Sequence, residues 1–173
     1  MTPEILSNSG RYFNFLKPED YDYTIEEIAH ALSHINRYTG HSRVPYNVAD
    51  HSVRVSYLVP KKYALDGLMH DCSEAFLGDV SSPLKQLLND YKVIEHKVEE
   101  AIAKHFGLEY PHPPCVKVAD YTMLVTEKRD LLPYSEPWDA FKQYTPLQER
   151  IWPLKNREAR EAFLTRYHEL TGK

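Results

Sequence analysis

Proline cannot donate a backbone hydrogen bond and clashes with the preceding helical turn, so its placement decides where helices can run. The 12 prolines of this 173-residue chain fall mainly between segments in which apolar residues recur every three or four positions. That pattern predicts an all-α chain of several helices, with no internal repeat or long linker to divide it. With 42% hydrophobic and 27% charged residues the chain can bury a core, which excludes disordered and collagen-like classes. A single domain over residues 1–173 is expected.

The segments follow from local signals. Asn8-Ser9-Gly10 ahead of the alternating Tyr12-Phe13-Asn14-Phe15 predicts a small hairpin or an irregular arm. Thr24 with Glu27 reads as a capping box, and Ile25, Ile28, Ala29, Leu32 and Ile35 behind it predict a first helix ending near Tyr38–Gly40. Asn47 caps a second helix reaching about Leu58, and a third runs from about Lys61 to Phe76 with Gly78 as its stop. Ser82 followed by Pro83 starts a short fourth helix, Tyr91 to Phe106 forms a fifth that stops at Gly107, and Pro113-Pro114 open a sixth through about Leu132. Ser135 to Pro146 reads as loop, and Asn156 to Leu170 as a final amphipathic helix.

Charge narrows the partners. A net charge of −4 with both signs interleaved leaves no basic stripe for tracking long nucleic acid, although a small anion in a local basic pocket fits. Cys72 and Cys115 are isolated, so neither a disulfide framework nor a cysteine zinc knuckle is expected. The first residues lack the basic start and apolar run of a signal peptide, and no run of eighteen apolar residues occurs. The expectation is a cytoplasmic protein with no membrane partner, in a bacterium or in the host of a phage. Apolar and aromatic residues of the last third, among them Tyr134, Trp138, Phe141, Trp152 and Tyr167, could cover a subunit interface or the core, and a homo-oligomer is expected.

The chemistry-bearing residues are His51 on the second helix, His70-Asp71 on the third and Asp120 on the sixth. Glu74 follows His70 and Asp71 by four and three positions, which puts a carboxylate on the same helical face. Acid groups on a buried face are costly unless a cation or a hydrogen-bond network compensates them. Two imidazoles with two carboxylates suit one divalent transition metal ion, cobalt, zinc, manganese or iron, with positions left open for water and substrate.

In order and type, His51, then His70-Asp71, then Asp120 resembles the HD-domain metal-dependent phosphohydrolases, over roughly residues 24–132. His70-Asp71-Cys72-Ser73-Glu74-Ala75-Phe76-Leu77-Gly78-Asp79 is similar to the HDxxExxxGD of small bacterial 5'-deoxynucleotidases, and phage dATP triphosphohydrolases associated with 2-aminoadenine DNA share the dyad. The resemblance implies an HD-type helical bundle in which His51, His70, Asp71 and Asp120 bind the ion. It also implies that Glu74 positions or deprotonates the attacking water, and that Asp79 holds the deoxyribose hydroxyl or assists proton transfer. Ile35-Asn36-Arg37-Tyr38 is similar to the nucleotidase segment that sets an arginine against phosphate and an aromatic ring beside the sugar, with Tyr38 where several relatives have tryptophan. Lys85 and Lys117 join Arg37 as candidate phosphate contacts.

Structural readings stand beside these. Lys85 and Lys117 could be solvated, Arg37 could complement a helix dipole, and Tyr38 could be core. His34 and His41 could touch a base or serve a turn, Cys72 reads as a small buried residue, and Glu127, Arg129 and Asp130 read as a structural ion network. The expected function is hydrolysis of a 5'-deoxynucleoside monophosphate to deoxynucleoside and phosphate. The alternatives are a dATP-type triphosphohydrolase and, from another class, a non-catalytic nucleotide-binding HD module.

Overall fold

The protein is described here by a computed structural model covering residues 2–172. Strands β1 (Glu4–Leu6) and β2 (Tyr12–Asn14) form the expected hairpin, antiparallel with Ile5 opposite Phe13. The helices follow as α1 (Ile25–His34), α2 (Val48–Leu58), α3 (Ala64–Met69), α4 (Glu74–Leu77), α5 (Ser82–Lys85), α6 (Asn89–Phe106), α7 (Pro114–Leu131) and α8 (Asn156–Thr171). The architecture is the helical one the prolines predict. No helix among the described residues is long and apolar enough to cross a membrane.

Helix α2 lies at the centre, in contact with α1, α3, α7 and α8. Being covered on several sides, it buries polar residues as well as its apolar stripe, and each buried polar group then needs a partner. Asp50 accepts hydrogen bonds from Arg54 Nε at 2.8 Å and from the Leu154 backbone N–H at 2.9 Å. Ser56 accepts one from Arg166 Nε at 3.1 Å, so α8 and the segment before it are fastened to α2 by polar bonds. Two apolar clusters flank this helix. One joins the hairpin to α1, α4 and α8 through Phe13, Ile28, Leu32, Phe76 and Phe163, with Phe13 stacked on Phe76 at 4.3 Å. The other packs Val55, Met123, Leu131 and Ile151 between α2, α7 and the chain leading to α8.

Tertiary contacts move several boundaries. The first helix ends at His34, not near Tyr38–Gly40, because Ile35 turns extended and the backbone crosses to α2. Arg37 N–H donates to Tyr46 C=O at 2.9 Å and Val48 N–H to Ile35 C=O at 3.0 Å, a one-bridge pairing of Asn36 with Asn47. Tyr38 and Thr39 then take left-handed backbone, φ 57° and 52°, which costs L-residues roughly 1–2 kcal/mol each. Thr24 occupies the first cap position without a side-chain bond, and the predicted capping box is not made. Glu27 is buried instead and accepts from Tyr21 Oη at 2.6 Å and Ser9 Oγ at 3.0 Å. The predicted helix from Lys61 to Phe76 is interrupted after Met69 and resumes at Glu74, and Ser81 rather than Ser82 stands at the cap of α5. Asn47 caps α2 as expected, its side chain accepting from the Asp50 N–H at 2.9 Å. Tyr167 belongs to the core, whereas Tyr134 and Trp152 are exposed.

Gly67 marks the close approach of α3 to α2. A Cβ there would meet Val59 Cγ2 at 3.0 Å and Ser56 Cα at 3.2 Å. Replacing a helical glycine by alanine gains roughly 1 kcal/mol of helix propensity, while overpacking a tight contact costs about 1–3 kcal/mol. Gly67→Ala should therefore lower stability by up to about 2 kcal/mol in denaturant titration. A more stable variant would show that α2 and α3 have room to part.

Candidate metal centre and adjoining cavity

A candidate donor set gathers at the break between α3 and α4. His70 and Asp71 occupy the tight turn after Met69, closed by bonds from Cys72 N–H to Met69 C=O and from Glu74 N–H to Asp71 C=O, both at 3.0 Å. His70 Nδ1 bonds to the Gly67 carbonyl at 2.9 Å, which assigns the proton to Nδ1 and aims Nε2 inward. The His51 ring, fully buried on α2, lies 5.3 Å from that of His70. Its Nε2 is 3.2 Å from Asp120 Oδ1 on α7 and 3.6 Å from Asp71 Oδ2. Asp71 Oδ2 is also 3.2 Å from His70 Nε2.

Neither Nε2 atom has a hydrogen-bond partner, although both are buried. Orphaned ring nitrogens are rare in a packed interior, and two facing each other among carboxylates are what a cation would satisfy. Donor atoms of His51, His70 and Asp120 lie within 4.8 Å of one another, close enough for one ion. Asp71 borders this trio and holds Arg37 Nη1 at 3.4 Å with the same oxygen that approaches the two rings. The four residues expected as ligands are thus brought together from two helices and one turn.

The electrostatics follow from crowding charge into a dry site. Burial and Arg37 push the His51 imidazole down, but Glu127 and Asp120 outweigh them and raise it to about 9. Burial acts to raise the Asp71 and Asp120 carboxyls, yet the neighbouring histidines hold both below the usual carboxylate range. Glu74 goes the other way, pushed well above the usual range by burial and then by the charges of Asp71 and Asp79. Its Oε2 is buried without a partner at the start of α4. Asp79 is raised too, mainly by burial.

Beside this cluster opens a cavity of about 360 Å³ lined by Arg37, Tyr38, Asp79, Pro83, Leu124 and Trp138, among others. The volume lies in the range of small-ligand pockets, roughly 300–1,000 Å³. Tyr38 and Trp138 face it with ring centroids 6.4 Å apart, and Lys128 anchors the loop carrying Trp138 by bonds to Pro133 C=O at 3.0 Å and Ser135 Oγ at 2.6 Å. Lys85 and Lys117 do not line it. Lys85 pairs with Glu95 at 2.5 Å, and Lys117 is exposed with Nζ 5.9 Å from the Tyr121 ring centre. His34 bonds to the His30 carbonyl, His41 is exposed, and Cys72 is buried as expected.

Glu127 corrects the sequence reading. It is fully buried and forms no pair with Arg129; Arg129 and Arg150 pair with Asp130 instead. Glu127 Oε1 meets His51 Nδ1 at 2.6 Å and Tyr46 Oη at 3.0 Å, while Oε2 accepts from Arg37 Nε at 3.2 Å and from Tyr38 Oη. The signal was its spacing: seven residues past Asp120 is two helical turns on the same face. Trp138 went unread as a cavity residue because its loop has no periodicity to place it.

No protein-family model matches the chain. It is 38% identical over 165 residues to the uncharacterized protein YfdR of Escherichia coli (strain K12), covering 94% of this chain and 93% of that one. It is also 30% identical over 181 residues to an uncharacterized protein of Rhodobacter capsulatus, covering 94% of this chain and 92% of the relative. Among solved structures it is similar to the HD phosphohydrolase DatZ of cyanophage S-2L, described as bound to dA and one catalytic zinc ion. The TM-score is 0.50 at 18% identity, over 88% of this chain and 99% of that one. The chain belongs by sequence to the family of the Escherichia coli protein YfdR, and its fold is that of an HD phosphohydrolase.

Proposed function

We propose that the protein is a metal-dependent phosphohydrolase that acts on a deoxynucleoside monophosphate and releases deoxynucleoside and phosphate. The observation that carries this reading is the pair of orphaned Nε2 atoms of His51 and His70, facing Asp120 and Asp71 beside an aromatic-walled cavity. His51, His70, Asp71 and Asp120 would hold the ion. The zinc of the cyanophage enzyme makes zinc the first metal to test, with cobalt, manganese and iron compatible with the same donors. A bound divalent ion lowers the pKa of water and offsets charge on a phosphoryl oxygen.

The chain's own groups do the rest. Glu74, buried at the start of α4 with Oε2 free of any partner, is the carboxylate that would accept a proton from the attacking water as a general base. Arg37 presents its guanidinium to the cavity, braced by Asp71 and Glu127, and offsets phosphate charge. Asp79 lines the same cavity, where it would accept a hydrogen bond from a deoxyribose hydroxyl or relay a proton. Tyr38 and Trp138 offer faces to the sugar and base. Contact between phosphate and Lys85 would require that lysine to leave Glu95.

Phosphate number follows from the supply of cations. A triphosphate carries about two more negative charges than a monophosphate, and its site needs several cations. Among the described residues lining the cavity, Arg37 is the one cation. That favours the monophosphate over the dATP-type reading. Incubation of the zinc- or manganese-loaded protein with deoxynucleoside mono- and triphosphates tests the choice. Inorganic phosphate from monophosphates is expected, and intact triphosphate from dATP with monophosphates untouched would reverse it. No turnover of either, with nucleotide bound, would support a binding module.

Three outcomes follow. Glu74→Gln should keep fold and metal content while lowering kcat about a hundredfold or more, whereas His70→Ala should lose metal; full activity of the Gln variant would remove Glu74 from proton transfer. Trp138→Ala should raise KM for the nucleotide roughly tenfold with a smaller change in kcat, as expected for one lost base-stacking contact; an unchanged KM would mean the ring does not meet substrate. In chelator-treated protein, the raised His51 contributes stability that is fully present below pH 6.5 and is lost as pH rises through about 9. Denaturant titrations should then show a drop of up to about 3 kcal/mol across that interval, and a flat profile would show that His51 is not held protonated.

A further inference from the structure

We infer that Glu127 is a positioning residue that prepares His51 for the ion and, through its second oxygen, ties the ion site to the cavity. This rests on the reading of His51 as a metal ligand. The two carboxylate oxygens have separate tasks. Oε1 takes His51 Nδ1 at 2.6 Å with Tyr46 Oη at 3.0 Å, and Oε2 takes Arg37 Nε at 3.2 Å with Tyr38 Oη. A carboxylate is an acceptor only, so His51 Nδ1 keeps a proton toward Glu127, and Nε2, which faces Asp120 and Asp71, is the nitrogen that would give up its proton and turn a lone pair to an ion. A carboxylate behind an imidazole also raises its basicity as a ligand and fixes its ring orientation.

Charge balance alone does not require this arrangement. Neutralising Arg37 occupies only Oε2, and Asp71 already faces the same guanidinium at 3.4 Å. The bond to His51 uses the other oxygen and spans α7 to α2, with the Glu127 side chain at 0% exposure. Because Arg37 and Tyr38 line the cavity and His51 faces the ion site, one side chain sets the relative placement of both.

Glu127→Gln is the informative change. An amide has one acceptor oxygen, so whichever way it turns, its N–H₂ confronts either the His51 and Tyr46 donors or those of Arg37 and Tyr38. Zinc affinity, measured by competition with a chromophoric chelator on folded protein, should fall 10- to 100-fold, with the fold checked by circular dichroism. Nitrogen-15 NMR of the His51 ring in zinc-loaded wild-type protein should show the proton on Nδ1 and coordination through Nε2. An unchanged zinc affinity in folded Glu127→Gln, or a His51 proton on Nε2, would overturn the inference. Should the variant fail to fold, the ring NMR of the wild type decides alone. Wild-type protein that takes up no zinc would sink the metal reading and this inference together, whereas zinc uptake insensitive to Glu127→Gln would sink the inference only.

Discussion

A carboxylate with no exposure to water is among the most expensive things a fold can contain, with several kcal/mol of desolvation to offset. Glu127 meets that demand with four donors from three separate places: His51 on α2, Tyr46 just before it, and Arg37 with Tyr38 in the turn after α1. Burial alone would raise its carboxyl, but Arg37 and His51 hold it below the ordinary range, so it stays charged. Much else depends on that choice. The left-handed backbone at Tyr38 and Thr39 is kept by the hydroxyl of Tyr38 and the guanidinium beside it, and α7 is held in register with α2.

The second constraint is steric. Helix α2 can be central only if its neighbours come close without displacing it, and at Gly67 α3 comes close enough that a Cβ would crowd Ser56 and Val59. The same glycine's carbonyl takes His70 Nδ1, so the residue that allows the approach also orients the histidine that approaches. Tight packing and the orientation of His70 are therefore a single local solution. In the turn past Met69 that follows, His70 Nε2 and Asp71 Oδ2 come within 3.2 Å.

The helical fold was legible in the sequence wherever apolar spacing and proline agreed, as over α2, α6 and α7. It failed where a tertiary bond outbid a local preference. Ile35 extends the apolar stripe of α1, yet its carbonyl is claimed by Val48 and the chain leaves the helix. Glu27 has the spacing of a cap partner, yet Tyr21 and Ser9 claim its oxygens. That His51, His70, Asp71 and Asp120 come together was legible because residue type and order carry it. Glu127, read with Arg129 and Asp130 as a structural ion network, bonds elsewhere because only the packing of α7 on α2 decides which face of α7 is dry, and Trp138 joins the cavity from an irregular loop that writes no pattern in sequence.

The bonds that close this fold reach far along the chain. His51 to Glu127 spans 76 residues, Arg37 to Glu127 spans 90, and Asp50 to Leu154 spans 104. Contacts of that separation form late, since the loop they close must be ordered before they repay it. At about 5–20 residues per second of synthesis, α2 emerges ~4–15 s before Glu127 exists to meet it. Through that interval His51 lacks Glu127, and Asp50 has its neighbour Arg54 but not the Leu154 N–H, so both stay in contact with water. Side chains that later cross-link the interior thus begin as the groups that keep its central helix hydrated on the growing chain.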